Sequence, residues 1–68
     1  MYEIWSKDRT QAVFMDKDTG SFHIMDSRQE AKRYELLKTE SRDFIKSVWE
    51  MTGGEYGDME IMVCLKRL

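Results

Sequence analysis

Residues 27–51, SRQEAKRYELLKTESRDFIKSVWEM, carry the strongest helix signal in this 68-residue chain. The first four residues match a capping box, in which the Ser27 hydroxyl accepts from the backbone N–H of Glu30 and the Glu30 carboxylate returns to that of Ser27. At about 100° per residue, the apolar side chains that follow fall on one side of a helical wheel: Tyr34, Leu37, Phe44, Ile45, Val48 and Met51. The stretch therefore predicts one long, amphipathic helix.

The alternative is a break near Lys38 to Ser41. Thr39 and Ser41 are poor residues for a helix interior, and either could cap a second helix. The apolar positions stay in phase across the break, which favours a single helix that ends near Met51. Gly53 follows and tolerates the left-handed conformation found after helix ends.

Three short segments before this helix have the composition of β-strands. Tyr2–Ser6 and Gln11–Met15 are rich in aromatic and β-branched residues, and the four polar residues between them suit a hairpin connection. Ser21–Met25 follows residues 16–20, a turn-like segment that ends in glycine. The pattern predicts a three-stranded antiparallel meander.

A fourth strand is predicted after the helix. Residues 61–65, IMVCL, form an apolar run of strand length, which is typical of an interior strand covered on both faces. The chain then reads β-β-β-α-β: a small two-layer α+β sandwich, residues 1–68 as a single domain, with one long helix over a four-stranded, mostly antiparallel sheet whose centre holds the last strand. The predicted core comprises Ile4, Val13, Leu37, Phe44, Val48, Ile61, Val63 and Leu65.

Length and composition limit the function. A chain of this size buries only about 60% of its surface on folding, too little to build a deep cleft, so neither an enzyme nor a cofactor site is expected. No apolar run could span a bilayer, and the N-terminus lacks the pattern of a signal peptide. The single cysteine, Cys64, favours a reducing cytoplasm. Eleven Lys plus Arg against thirteen Asp plus Glu argue against nonspecific attraction to nucleic acid or lipid.

One face of the predicted sheet is the main candidate for function. Alternation along the strands separates the residues that can meet the helix from a second set, namely Trp5, Phe14, His23, Met25, Met62 and Cys64. One helix cannot cover both faces. An uncovered apolar and aromatic face is typical of a protein-binding surface or a homodimer interface, so Trp5, Phe14, His23, Met25 and Met62 are the predicted partner contacts. The alternative is that a loop or second helix buries part of this set.

A basic stripe on the predicted helix supports a rival hypothesis. Five cations fall on the side opposite the apolar residues: Arg28, Lys32, Lys38, Arg42 and Lys46. Such a stripe could follow a phosphate backbone, which makes a nucleic-acid-binding module the alternative function. Acidic residues interrupt the row, and a solvated helix face is the favoured interpretation.

Three local matches to catalytic or metal motifs are weak. Residues 18–21, DTGS, match the tetrapeptide around an aspartic protease aspartate, and Asp16, Asp18 and Gly20 have a spacing faintly like that of a calcium loop. A hairpin turn explains both. His23 and Cys64 could form a thiolate–imidazole pair, but lone residues of these types in strands are usually structural, and together they make only half of a zinc site.

In length and composition the chain resembles the small accessory proteins of bacteriophages and mobile elements, among them inhibitors of host defence such as anti-CRISPR proteins. The resemblance covers no motif. It implies a small intracellular protein that occludes the surface of a partner protein. Self-association is a second option, either through the uncovered face or through an edge strand such as Gln11–Met15.

Overall fold

The structure, a computed structural model, describes residues 1–29 and 32–63. It confirms an α+β fold in the predicted strand, strand, strand, helix, strand order, with one short strand added before the helix. The elements are β1 (Tyr2–Ser6), β2 (Gln11–Asp16), β3 (Phe22–Asp26), β4 (Tyr34–Leu36), α1 (Arg42–Met51) and β5 (Met59–Val63), with 3-10 turns at Ser27–Gln29 and Gly54–Tyr56.

The five strands form one antiparallel sheet in the order β3-β2-β1-β5, and β4 also pairs with β2. The prediction that the last strand is central is wrong, because β5 lies at the end of this order. Its apolar run is not covered on both faces: Ile61 and Val63 are 36% and 61% exposed. Cys64 and Leu65 lie outside the described residues.

A short segment around β4 fills an opening between β1 and β2. These two strands pair at Trp5 and Ala12 and then separate. Beyond that point, Leu36 pairs with Phe14, and Tyr2 exchanges two backbone hydrogen bonds with Thr39, at 2.7 and 3.2 Å. The segment satisfies its backbone groups with strands that are distant in sequence, and for this reason it is extended rather than helical.

The helix is therefore shorter than predicted. It begins after Ser41, whose Oγ accepts from the backbone N–H of Phe44 at 3.2 Å. The single helix from Ser27 is wrong, and the alternative of a break with Ser41 as the cap is what the structure contains. Ser27 begins a 3-10 turn, and Glu30 of the predicted capping box lies outside the described residues. The predicted end at Met51 is confirmed.

The main core lies between α1 and the sheet. It comprises Ile4, Val13, Leu37, Ile45, Val48 and Met59. Of the predicted core, Ile4, Val13, Leu37 and Val48 are confirmed, whereas Ile61 and Val63 are exposed. Phe44 is also wrongly placed: it lies in the first turn of the shortened helix, is 42% exposed, and contacts the Phe22 ring edge-on with the centroids 5.8 Å apart.

Candidate functional site

The sheet face opposite α1, called here the open face, carries the predicted partner contacts. Strand register places them together. Met25 lies opposite Ala12, which in turn lies opposite Trp5. His23 lies opposite Phe14, and Met62 lies opposite Glu3. Directly opposed residues share a face of an antiparallel sheet, so the five predicted contacts lie on one face, which also includes Asp16, Tyr34, Leu36 and Glu60.

These side chains differ in accessibility. His23 is exposed, and Trp5, Met25 and Met62 are half-buried. Phe14 is only 1% exposed, so its prediction as a direct contact needs correction. It lies on β2, between His23 on β3 and Leu36 on β4. Phe14 therefore supports the open face from within, while the other four residues are available for contact.

Where β1 and β5 adjoin, the open face has an apolar depression of about 270 Å³, lined by Glu3, Trp5, Arg9 and Met62. The Trp5 indole N–H donates to the Glu3 carboxylate, with 2.7 Å between Nε1 and Oε1. Because the indole N–H is already hydrogen-bonded within the protein, a partner can pack on the apolar ring without removing water from that N–H. The Arg9 guanidinium lies 4.0 Å from the Glu60 carboxylate and adds charge at the rim.

The opposite end of the open face is held by a buried carboxylate, Asp16, which is only 3% exposed. The Arg33 guanidinium donates to both of its oxygens, with Nε 3.1 Å from Oδ1 and Nη2 3.0 Å from Oδ2. These bonds lower the pKa of Asp16 to about 2. Arg33 also lies over the Tyr34 ring, 5.4 Å from its centroid. The pair fastens the end of β2 to the start of β4.

Sequence reasoning missed this ion pair. The local patterns predict a turn at Asp16 and a helix at Arg33, and nothing in either pattern links two residues 17 positions apart. Only a prediction of β4, which brings Tyr34 opposite Asp16, would have placed the two side chains together.

The Asp16–Arg33 pair predicts a specific pH dependence of stability. A carboxylate with a lowered pKa in the folded state stabilises the fold above its unfolded pKa of about 3.9, and the contribution is lost as the pH falls towards about 2. In Arg33→Met this contribution should be missing, so stability should be lower at neutral pH and change less across that acid range. Urea denaturation at a series of pH values measures both effects.

Arg28→Met is the control for this prediction. Arg28 also lowers the pKa of its partner, Asp26, to about 2, but the Arg28 side chain is 87% exposed. Salt screens such a surface pair more strongly than one with a buried carboxylate. We expect high salt to abolish the effect of Arg28→Met and to leave much of the effect of Arg33→Met. Equal salt sensitivity would contradict a structural role for the buried carboxylate.

The predicted basic stripe does not exist as a helix face. Only Arg42 and Lys46 lie on α1; Lys32 and Lys38 are exposed outside it. Arg28 makes two side-chain hydrogen bonds to Asp26, at 3.1 and 2.9 Å. The division of the predicted helix therefore removes the alignment on which the nucleic-acid hypothesis was based.

The turn between β2 and β3 contains both the tetrapeptide that resembles an aspartic protease motif and the spacing that resembles a calcium loop. The backbone N–H of Asp18 donates to the Asp16 carboxylate at 2.9 Å, and Gly20 donates to the Asp16 carbonyl oxygen at 2.7 Å. Gly20 has a φ of 74°, as a bulged hairpin turn requires. The motif residues are thus engaged in turn hydrogen bonds. Cys64, the other member of the thiolate–imidazole pair considered for His23, lies outside the described residues.

Within residues 1–29 and 32–63, no group of three or more acidic, histidine or cysteine side chains is arranged to hold a metal ion. No helix in the same ranges combines the length and apolar character needed to cross a membrane. The described part of the chain defines a small α+β fold in which one α-helix packs on one side of a five-stranded sheet. No protein-family model matches the chain, and comparisons with curated proteins and with solved structures gave no significant match.

Proposed function

We propose that this protein is a non-enzymatic binding module whose open face covers a surface of another protein. The observation that carries the proposal is the strand register, which groups Trp5, His23, Met25 and Met62 on the face opposite α1. Each has accessible side-chain surface. They come from β1, β3 and β5, and the open-face residues of β2 are buried between them: Ala12, Phe14 and Asp16.

The chemistry of the open face favours a protein over a small molecule. Aromatic residues and methionine are enriched in protein interfaces, and methionine adapts its shape to a partner. A small-molecule site would instead be a deeper enclosure with several converging polar groups. The depression beside Trp5 and Met62 is shallow, and its nearest polar groups are already paired with each other.

Within the open face, we assign the anchoring role to Trp5. It lies on β1, between β2 and β5, and its indole is positioned by the hydrogen bond to Glu3. Such preorganisation lowers the entropic cost of binding. Met62 provides adaptable apolar surface beside it, and Arg9 and Glu60 form a charged rim. Phe14 keeps the strands packed from within.

The intracellular inhibitor role is the more specific part of the proposal. By covering a functional surface of its target, a domain of this size could block that target without chemistry of its own. Support for a phage or mobile-element accessory protein comes only from the length and composition of the chain. A nucleic-acid-binding function has weaker support, because the five cations do not share a helix face.

The test is the affinity of a partner captured from the source cell, measured with two aromatic variants. Trp5→Ala should weaken binding by roughly 30-fold or more, the ratio expected for an interface hot spot. Tyr56→Ala is the matched control, because Tyr56 is 89% exposed and lies in the 3-10 turn after α1. It should leave the affinity unchanged.

Salt and nuclease distinguish the two hypotheses. Binding through the open face should respond little to salt between about 50 and 200 mM, whereas phosphate binding should fall steeply. Nuclease treatment should not release the partner. Loss of binding in Arg42→Glu, with no effect of Trp5→Ala, would overturn the proposal in favour of nucleic acid.

A further inference from the structure

We infer that two copies of this chain associate through the outer edge of β5, antiparallel to each other about a two-fold axis at Ile61, so that their sheets become one. This edge is a separate surface from the open face. Three features of β5 favour the pairing: the direction of its backbone groups, the side chains at its edge and the position of its one charged residue, Glu60.

The backbone directions follow from the neighbouring strand β1. Tyr2 exchanges its hydrogen bonds with Thr39, on the side of β1 away from β5, at 2.7 and 3.2 Å. The backbone N–H of Lys7 donates to the Asp58 carbonyl oxygen at 3.1 Å, on the β5 side. Backbone groups alternate in direction along a strand. The odd-numbered residues of β1 therefore bond towards β5, and the even-numbered residues bond away from it.

The same alternation applies to β5. Glu60 and Met62 lie opposite Trp5 and Glu3, and so direct their backbone groups towards β1. Met59, Ile61 and Val63 direct theirs away from the sheet. An independent contact agrees with this assignment, since the Met59 carbonyl oxygen accepts from the Trp49 indole at 3.0 Å instead of from β1. Ile61 and Val63 are then the residues whose backbone groups a further strand would meet.

The side chains at this edge are suited to burial. Ile61 and Val63 are 36% and 61% exposed and form the β5 side of a groove between β5 and α1. The α1 side of this groove also carries charged residues: Arg42, Asp43 and Lys46. Exposed edge strands are commonly protected by lysine, proline or a bulge, and the sequence of Met59–Val63, MEIMV, contains neither lysine nor proline. The Trp49 indole covers the Met59 end of this edge, and the part from Ile61 to Val63 is a template for pairing with another strand.

A second copy fits the edge in one favourable register. With the two-fold axis at Ile61, each Ile61 bonds to its counterpart, and Met59 lies opposite Val63. Glu60 then lies opposite Met62, so the two Glu60 carboxylates do not face each other. A shift that placed Glu60 directly opposite its counterpart would set like charges together, which is destabilising. Because Met59 already accepts from Trp49, the central pair of Ile61 residues carries most of the bonding.

The other edge of the sheet, β3, is less suited. The backbone N–H of Asp16 donates to Ser21 on the β3 side of β2, at 2.8 Å, and Leu37 donates to Val13 on the β4 side, at 3.1 Å. By alternation, Phe22, Ile24 and Asp26 direct their backbone groups outward from β3. In a two-fold pairing at Ile24, the ring of Phe22 would face the carboxylate of Asp26, which is already paired with Arg28. Unlike Glu60 on β5, Asp26 holds a guanidinium on both of its oxygens, at 3.1 and 2.9 Å, and a partner strand would have to accommodate this pair.

The proposed dimer also has a geometric consequence for the open face. A two-fold axis perpendicular to the sheet keeps both helices on one side and both open faces on the other. Met62 and Glu60 of each copy would lie next to the axis, and the two Trp5 residues would lie one strand further out. The dimer would thus present one continuous surface made of two equivalent halves.

Sedimentation equilibrium across a micromolar concentration series tests the dimer. We expect the unmodified protein to approach twice the 8.2 kDa chain mass. Ile61→Pro should be monomeric, since it removes an outward N–H without removing a bond to β1. Ile24→Pro is the matched control: Ile24 is 38% exposed and also has an outward N–H, but on β3. It should remain dimeric.

Amide hydrogen exchange on the unmodified protein tests the same pairing without relying on a variant that has to fold. The Ile61 amide should become more protected as the protein concentration rises, whereas the Met62 amide, bonded within the sheet, should be protected at every concentration. A monomer at all concentrations would overturn the inference. So would a dimer that is lost in Ile24→Pro or Trp5→Ala but retained in Ile61→Pro.

Discussion

Phe14→Ala is expected to destabilise the protein by about 3 to 5 kcal/mol, the usual cost of removing a buried phenylalanine ring. Among the residues that the structure describes, Phe14 is the largest fully buried side chain, and it lies on β2, the strand that pairs with β1, β3 and β4. A domain of this length has a total stability of only about 3 to 10 kcal/mol. The variant should therefore be largely unfolded under conditions in which the unmodified protein is folded.

Phe44→Ala is the matched control for this prediction. Phe44 is 42% exposed, and its described aromatic contact is the edge of Phe22. Its loss should cost about 1 kcal/mol, the value of an aromatic pair and a partly buried surface. Urea denaturation of the two variants, followed by tryptophan fluorescence at one protein concentration, measures the difference. Similar losses would show that the ring of Phe14 is not packed as described.

Gly54→Ala is expected to cost about 1 to 3 kcal/mol, the range found for overpacking a well-filled site. A Cβ atom at Gly54 would collide with the Trp49 indole. That ring cannot move away freely, because its N–H donates to the Met59 carbonyl oxygen at 3.0 Å. The added methyl group must therefore displace either the indole or the turn after α1, and both changes weaken the contact between the helix and β5.

Gly57→Ala provides the comparison. A Cβ atom at Gly57 meets nothing within 4 Å, and its φ of −131° is accessible to any residue. This variant should be as stable as the unmodified protein or slightly more stable, since alanine reduces the freedom of the unfolded chain. Thermal unfolding of both variants checks the prediction. An unchanged melting temperature in Gly54→Ala would contradict the close packing of Trp49 on this glycine.

Much of the candidate site follows from local alternation. Side chains in a strand point to opposite faces at every step, so the separation of Trp5 and Met62 from Ile4 and Ile61 is a property of each short segment. The register of the strands then places these alternating sets on two common faces of the sheet. Alternation does not predict how deeply each side chain is buried. Phe14 and His23 oppose each other on one face, but one is buried and the other exposed, because only Phe14 lies on a strand with neighbours on both sides.

The middle of the chain shows where local pattern is insufficient. Tyr34 and Leu37 fit a helical stripe with Phe44 and Val48, yet residues 34–36 form a strand and α1 begins only at Arg42. A helix satisfies its backbone groups internally. The backbone groups of residues 34–39 instead bond to β1 and β2 in the opening between these two strands, and Ser41 caps a separate helix. Nothing near residue 34 in sequence reveals that opening.

The sequence by itself determined the α+β class, the three-stranded start, the end of the helix at Met51 and the grouping of side chains on the two sheet faces. Each of these depends on residues close together in the chain, through strand alternation, turn glycines and helix periodicity. Tertiary structure alone decided the strand at β4, the edge position of β5, the burial of Phe14 and the Asp16–Arg33 pair. Each of those depends on which distant backbone groups and side chains meet, and such pairings leave no period in the local sequence.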